Sequence, residues 1–142
     1  MIHPQQKNHM KILKTERLTL RTLALDDAEF YLNLTNEASW IQHIGDKGIR
    51  TLDAAKEAIT DGYIGKQQSN GFSLYLVERS SDQLAMDICG LVKREGLDGT
   101  DIGYAFSPAF GGLGYAFEAA TGVMVYAKNA GPATIAGDHL TR

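Results

Sequence analysis

With 142 residues, 44% of them hydrophobic, the chain makes one domain able to bury roughly 68–70% of the surface its unfolded form exposes. A formal charge of -3 leaves no basic footprint, so nucleic acid is not an expected direct partner. No apolar run approaches the roughly 18 residues needed to cross a bilayer, and no membrane partner is expected. The lone cysteine, Cys89, cannot close an internal disulfide, which suits a reducing cytoplasm.

In chain order, residues 1–13 are read as a flexible segment and 14–142 as a single domain. Residues 17–23 alternate Leu18, Leu20 and Thr22 against Arg17, Thr19 and Arg21, the period of a half-buried strand. Asp26 followed by Glu29 predicts a capping box and a helix to about Thr35. Residues 36–50, with Trp40, His43 and Ile44, show no clear period. Thr51 is a candidate cap for a second helix with Ala55, Ala58, Ile59 and Gly62 on one face. Residues 65–71 are polar and read as a loop.

Three β-prone runs follow, at 72–78, 83–93 and 100–106, joined by short turns that favour an antiparallel meander. A later helix places Ala116, Ala119, Ala120, Val123 and Ala127 on one narrow face, small enough to lie close to a sheet. Gly122 inside it costs about 1 kcal/mol against alanine, which packing must offset. Asn129, Gly131 and Pro132 stop that helix, and residues 133–136 begin one more strand, parallel to the 100–106 strand through the crossover. The pattern is α/β.

The most informative run is 107–120, where Gly111, Gly112 and Gly114 fill the turn between a strand and a helix. Such a turn aims backbone N–H groups and the positive end of a helix dipole at one place, and phosphate commonly binds there. A Walker loop is excluded because no lysine follows the glycines, and the dinucleotide fingerprint because their order is wrong. What remains is a short x-x-x-G-x-A turn opening a helix. Taken alone, it also reads as an ordinary strand-to-helix turn.

Three patches resemble the GNAT acyltransferase superfamily, in its ribosomal-protein N-acetyltransferase (RimJ/RimL-like) branch. They are Thr15-Glu16-Arg17-Leu18-Thr19-Leu20-Arg21 with Asp26-Asp27-Ala28-Glu29-Phe30, then Asp101-Ile102-Gly103-Tyr104-Ala105-Phe106-Ser107-Pro108, then Phe110-Gly111-Gly112-Leu113-Gly114-Tyr115-Ala116 closed by Glu118-Ala119. In that order they cover about 14–129. The resemblance implies a GNAT fold, a mixed and mostly antiparallel central sheet flanked by helices. It also implies acetyl-CoA as co-substrate and a primary amine, on a protein N-terminus or a small molecule, as acceptor.

By position, the resemblance puts the pantetheine arm on backbone groups of Ala105, Phe106 and Ser107. The pyrophosphate falls on the N–H groups of Gly111, Gly112, Leu113, Gly114, Tyr115 and Ala116. The Phe106 N–H is the candidate oxyanion donor and Asp101 the candidate base, with a solvated strand-end charge as the alternative for Asp101. The loop holding Asn36, Trp40 and His43 is implied to shape the acceptor site; Trp40 alternatively packs in a core and His43 lies at the surface. His3, His9, His139 and Cys89 show no metal-ligand spacing, so no metal is expected.

Two departures bear on function. Related loops begin with Gln, Arg or Trp and carry a basic third residue, whereas this chain has Gly111 and Leu113. Residues 136–142 do not resemble the helix and closing strand that follow in relatives, so the C-terminal part is read as missing or replaced. The expectation is therefore an incomplete GNAT domain: a fragment, a chain diverged at its C-terminus, or one whose sheet a homodimer partner completes. The rival is a non-catalytic CoA-binding or assembly module.

Overall fold

A computed structural model of the chain describes residues 10–93, 100–105 and 113–130. Five strands form one sheet in chain order, each antiparallel to the next: β1 (Lys11–Lys14), β2 (Leu18–Arg21), β3 (Leu74–Arg79), β4 (Leu84–Lys93) and β5 (Thr100–Ala105). Four short helices lie between β2 and β3: α1 (Ala28–Thr35), α2 (Ala38–His43), α3 (Leu52–Ala58) and α4 (Gly65–Asn70). After β5 comes α5 (Tyr115–Ala130), the longest helix described. The strand expected at 133–136 lies outside the described residues.

Strand alternation assigns the two faces of the sheet. On β3, Tyr75 and Val77 join Leu18, Leu20, Cys89 and Ile102 under α5, which contributes Tyr115, Ala119, Val123 and Ala127. Leu76 with Ile88 faces the other way, onto Leu23, Ala28, Tyr31 and Leu34 of the α1 side and Ala55 and Ile59 beyond it. Fully burying a large aliphatic side chain is worth about 1.5–3 kcal/mol, so both layers are hydrophobically fastened to the sheet. Small residues on α5 do what their size implies. A Cβ at Gly122 would sit 2.7 Å from the Thr15 methyl and 3.1 Å from Leu13, so its absence lets α5 approach β1.

Several local expectations are corrected. Lys11–Leu13, inside the segment read as flexible, pair with β2 at the edge of the sheet among the described residues. The capping box at Asp26 and Glu29 is not what starts α1. A 3-10 turn, Leu25–Asp27, precedes the helix, and the buried Asp27 carboxylate accepts the Ala24 N–H at 2.8 Å. Residues 36–50 contain the helix α2. The polar run 65–71 is the helix α4, continuing from a π-helical turn, Ile59–Ile64, and ended by Gly71 at φ 83. The expected Thr51 cap is present, its hydroxyl accepting the Ala54 N–H at 3.1 Å.

Arg21 ties the helical side to the sheet. Its guanidinium donates to both oxygens of Asp27 at 2.9 Å and through Nε to Glu78 at 3.0 Å. All three side chains are nearly buried. Desolvation pulls the Arg21 pKa down, but Asp27 and Glu78 more than offset it, and the net shift is upward.

Candidate functional site

The first turn of α5 is built by Gly114. Its φ of 79 lies in the left-handed region that side chains rarely adopt. Its carbonyl accepts the Glu118 N–H at 3.0 Å, the first hydrogen bond of the helix. The N–H groups of Tyr115, Ala116 and Phe117 precede that bond and have no acceptor within the helix. Sixteen residues of aligned peptide dipoles add a partial positive charge at this end. Tyr115 is buried into the core while Leu113 and Gly114 are exposed, so the turn is anchored yet open.

Of the residues expected at the phosphate turn, Leu113, Gly114, Tyr115 and Ala116 therefore sit together at one helix N-terminus. Ala105 ends β5, paired with Ile88 of β4. Phe106, Ser107, Gly111 and Gly112 lie outside the described residues. Asp101 pairs with Val92 near the start of β5. It stands four residues before Ala105, about 13 Å along the strand at 3.3 Å per residue.

Sequence reasoning missed what holds this turn. Glu118, one turn into α5, accepts the Thr15 hydroxyl at 2.5 Å and the Arg17 N–H at 2.8 Å through Oε2, and Arg17 Nε at 2.6 Å through Oε1. Arg17 Nη1 reaches the Leu113 carbonyl at 3.0 Å, and the guanidinium lies 4.5 Å from the Tyr115 ring centroid, a cation–π contact. The β1–β2 turn thus clasps the start of α5. Both halves were visible in the sequence as resembling patches, but nothing local told that they touch.

Partial burial would raise the Glu118 carboxyl, but its bonds to Thr15 and Arg17 prevail and hold it below the ordinary glutamate value. A lowered folded-state pKa stabilises the fold above the unfolded value, about 4.3, and that contribution is lost as pH falls through the folded pKa. Glu118→Gln should therefore lose less stability on acidification from pH 6 to pH 3 than the unmodified chain. Melting temperatures across that range check it, and parallel pH profiles would contradict it.

The acceptor candidates part company. Trp40 is 5% exposed, packs edge-on to Tyr31 with centroids 6.3 Å apart, and lines a cavity of about 990 Å³ between the helical layer and β3–β5. Tyr63 and Asp61, carried by the π-helical turn, share that wall, and Gly103 of β5 closes the far side. Such π-helical turns occur often at functional sites. Burial, above all, pushes the hydrogen-bonded Tyr31 and Tyr63 phenols up, so both are neutral near pH 7. Asn36 instead braces its own loop: its amide donates to the Leu32 and Ile49 carbonyls, both at 2.8 Å, and accepts from Arg50 at 2.8 Å. His43 ends α2, exposed and outside the cavity wall.

Cys89 is fully buried and its thiol is pushed up to about 12 by desolvation, which makes it an unreactive core residue. Among the described residues no cluster of three metal-ligating side chains occurs, and no helix is long and apolar enough to cross a membrane.

Residues 17–141 match the family model described as Acetyltransferase (GNAT) domain, so the chain belongs to the GNAT acetyltransferase family. Among solved structures it is similar to a GNAT-family acetyltransferase from Bacillus anthracis, with 23% identity and a TM-score of 0.67 over 85% of this chain and 68% of that one. It is also similar to RimL, a ribosomal-protein alpha-N acetyltransferase in complex with coenzyme A. There the identity is 16% and the TM-score 0.71, over 86% of this chain and 70% of that one. A third is the microcin C7 self-immunity acetyltransferase MccE in complex with acetyl-CoA and AMP, 16% identical with a TM-score of 0.66 over 82% of this chain and 66% of that one. At these identities the likeness is one of fold. A search of curated protein sequences finds no match.

Proposed function

We propose that this chain transfers an acetyl group from acetyl-CoA to a primary amine, on a protein N-terminus or a small molecule. The observation that carries the reading is the open first turn of α5, set by Gly114 at φ 79 and placed after β5, the last strand of the sheet among the described residues. Free N–H groups at a helix N-terminus suit an anion, and a pyrophosphate is what acetyl-CoA brings there. RimL and MccE, solved with coenzyme A and acetyl-CoA, lend support through the shared fold.

In this reading the N–H groups of residues 111–116 hold the pyrophosphate, and the backbone of Ala105, Phe106 and Ser107 aligns the pantetheine arm. When bound, acetyl-CoA supplies an activated thioester carbonyl. The neutral amine attacks that carbon, the new C–N bond replaces the C–S bond, and the thiolate leaves to become the CoA thiol. The Phe106 N–H is assigned to the developing negative charge on the carbonyl oxygen, and Asp101, directly or through water, to the ammonium proton. The cavity beside Trp40, reaching Gly103, is the acceptor site; Asn36 is assigned to brace the segment leading into α2, and His43 to the exposed end of that helix. A cytoplasmic setting suits the single thiol.

One observation favours the rival, a CoA-binding module without turnover. Leu113 is 52% exposed at the position where the resembling loops carry a base. Release of CoA thiol, followed with a panel of amines and N-terminal peptides, separates the two. Release above the acceptor-free background is expected; saturable acetyl-CoA binding without release from any acceptor would establish the rival.

A further inference from the structure

The clasp between the β1–β2 turn and α5 has a specific geometric effect on the anion turn. In a trans peptide the C=O and N–H point in opposite directions. Arg17 Nη1 holds the Leu113 carbonyl at 3.0 Å, so the N–H of the same peptide unit, that of Gly114, points away from Arg17. Glu118 fixes Arg17 in turn, through both Nε and its backbone N–H, while Thr15 closes the carboxylate's second oxygen. The Arg17 charge is matched by Glu118, with which it forms an ion pair at 2.6 Å, so it is poorly placed to act as a cation for the ligand. Its contribution is one of orientation.

We infer that Arg17 is a positioning residue that sets the Gly114 N–H, and with it the first turn of α5, for the pyrophosphate of acetyl-CoA; this rests on the functional reading above. It accounts for how a loop with leucine in place of the family's basic residue keeps its donors aligned. A floppy glycine turn must be ordered at the moment of binding, which weakens affinity, and a clasp from a second element removes that cost beforehand.

The test uses the full 142-residue chain and the variants Arg17→Met, which keeps the aliphatic cover of Tyr115, and Arg17→Lys. Arg17→Met should raise the acetyl-CoA Kd about tenfold, the effect of losing a hydrogen bond from a charged donor. Its Kd for S-acetylpantetheine, which lacks the pyrophosphate, should stay within twofold, and Arg17→Lys should recover part of the loss. Without ligand, the Glu118 amide should exchange about tenfold faster in Arg17→Met while the Val123 amide does not change. An acetyl-CoA Kd within twofold of the unmodified chain overturns the inference. Equal weakening toward both thioesters does so too, since that marks general damage. If the unmodified chain binds no acetyl-CoA, the functional reading falls by itself; the exchange arm then decides the clasp, and an unchanged Glu118 rate overturns it.

Discussion

Arg21→Met is expected to destabilise the fold by about 3–5 kcal/mol, the usual cost of removing one partner from a buried ion pair. Arg21 is 8% exposed and fills the space between Asp27, on the turn into α1, and Glu78 on β3. Methionine covers similar volume but takes the guanidinium away from both carboxylates. Native domains hold only about 5–15 kcal/mol, so the loss is a large share of the total. A conservative variant separates this from simple cavity formation. Arg21→Lys keeps the cation but loses the planar fork that reaches both carboxylates, so it should recover part of the loss in urea unfolding. A loss under about 1 kcal/mol in Arg21→Met, or an equal loss in Arg21→Lys, would count against this account of the triad.

The second large effect is functional. Gly114→Val puts a β-branched residue at φ 79, where it is strained by about 1–3 kcal/mol. Its Cβ would lie 3.4 Å from Arg17 Nη2, so the branches press on the guanidinium that holds the Leu113 carbonyl. Strain and displacement both turn the Gly114 peptide and tilt the first N–H groups of α5. Losing two hydrogen bonds to a charged phosphate, each worth about 1.5–3 kcal/mol, weakens acetyl-CoA binding by roughly a hundredfold or more. Gly114→Ala, strained but lacking the branches, should fall between the two in both melting temperature and affinity.

What the sequence made legible was whatever repeats at short range. The alternation of Leu18 and Leu20 with Thr19 and Arg21 appears as the strand β2, although Thr19 and Arg21 are buried too where a half-buried strand is expected, and the alanine stripe of α5 packs on the sheet. Cys89 is buried in β4 as its apolar neighbours implied. Elements without a period stayed hidden. None of the α4 residues is buried, so its polar run carries no amphipathic signal, and its stop, Gly71, reads equally well as a loop glycine. The edge strand β1 is four residues long with lysine at both ends, which resists unwanted edge pairing but looks like a solvated tail. At α1 two adjacent aspartates offered themselves as the cap. The Ala24 N–H and Arg21, itself bonded to Glu78 of β3, hold the Asp27 carboxylate in its buried place.

The site was legible in the same uneven way. Glycine spacing located the turn at Gly114 because backbone conformation is written locally. The Arg17–Glu118 bond joins residues 101 positions apart, and no local rule connects them. Asn36 and Trp40 lie four positions apart, yet one braces backbone carbonyls and the other lines the cavity, a difference only three-dimensional packing decides.

Calorimetric titration of acetyl-CoA into the purified chain, with Gly114→Val alongside, tests the central claim most directly. The account predicts saturable one-to-one binding by the unmodified chain, in the micromolar range, and its loss in the variant. No heat of binding from the unmodified chain, or equal affinity in a folded Gly114→Val, would contradict the assignment of the α5 N-terminus as the acetyl-CoA site.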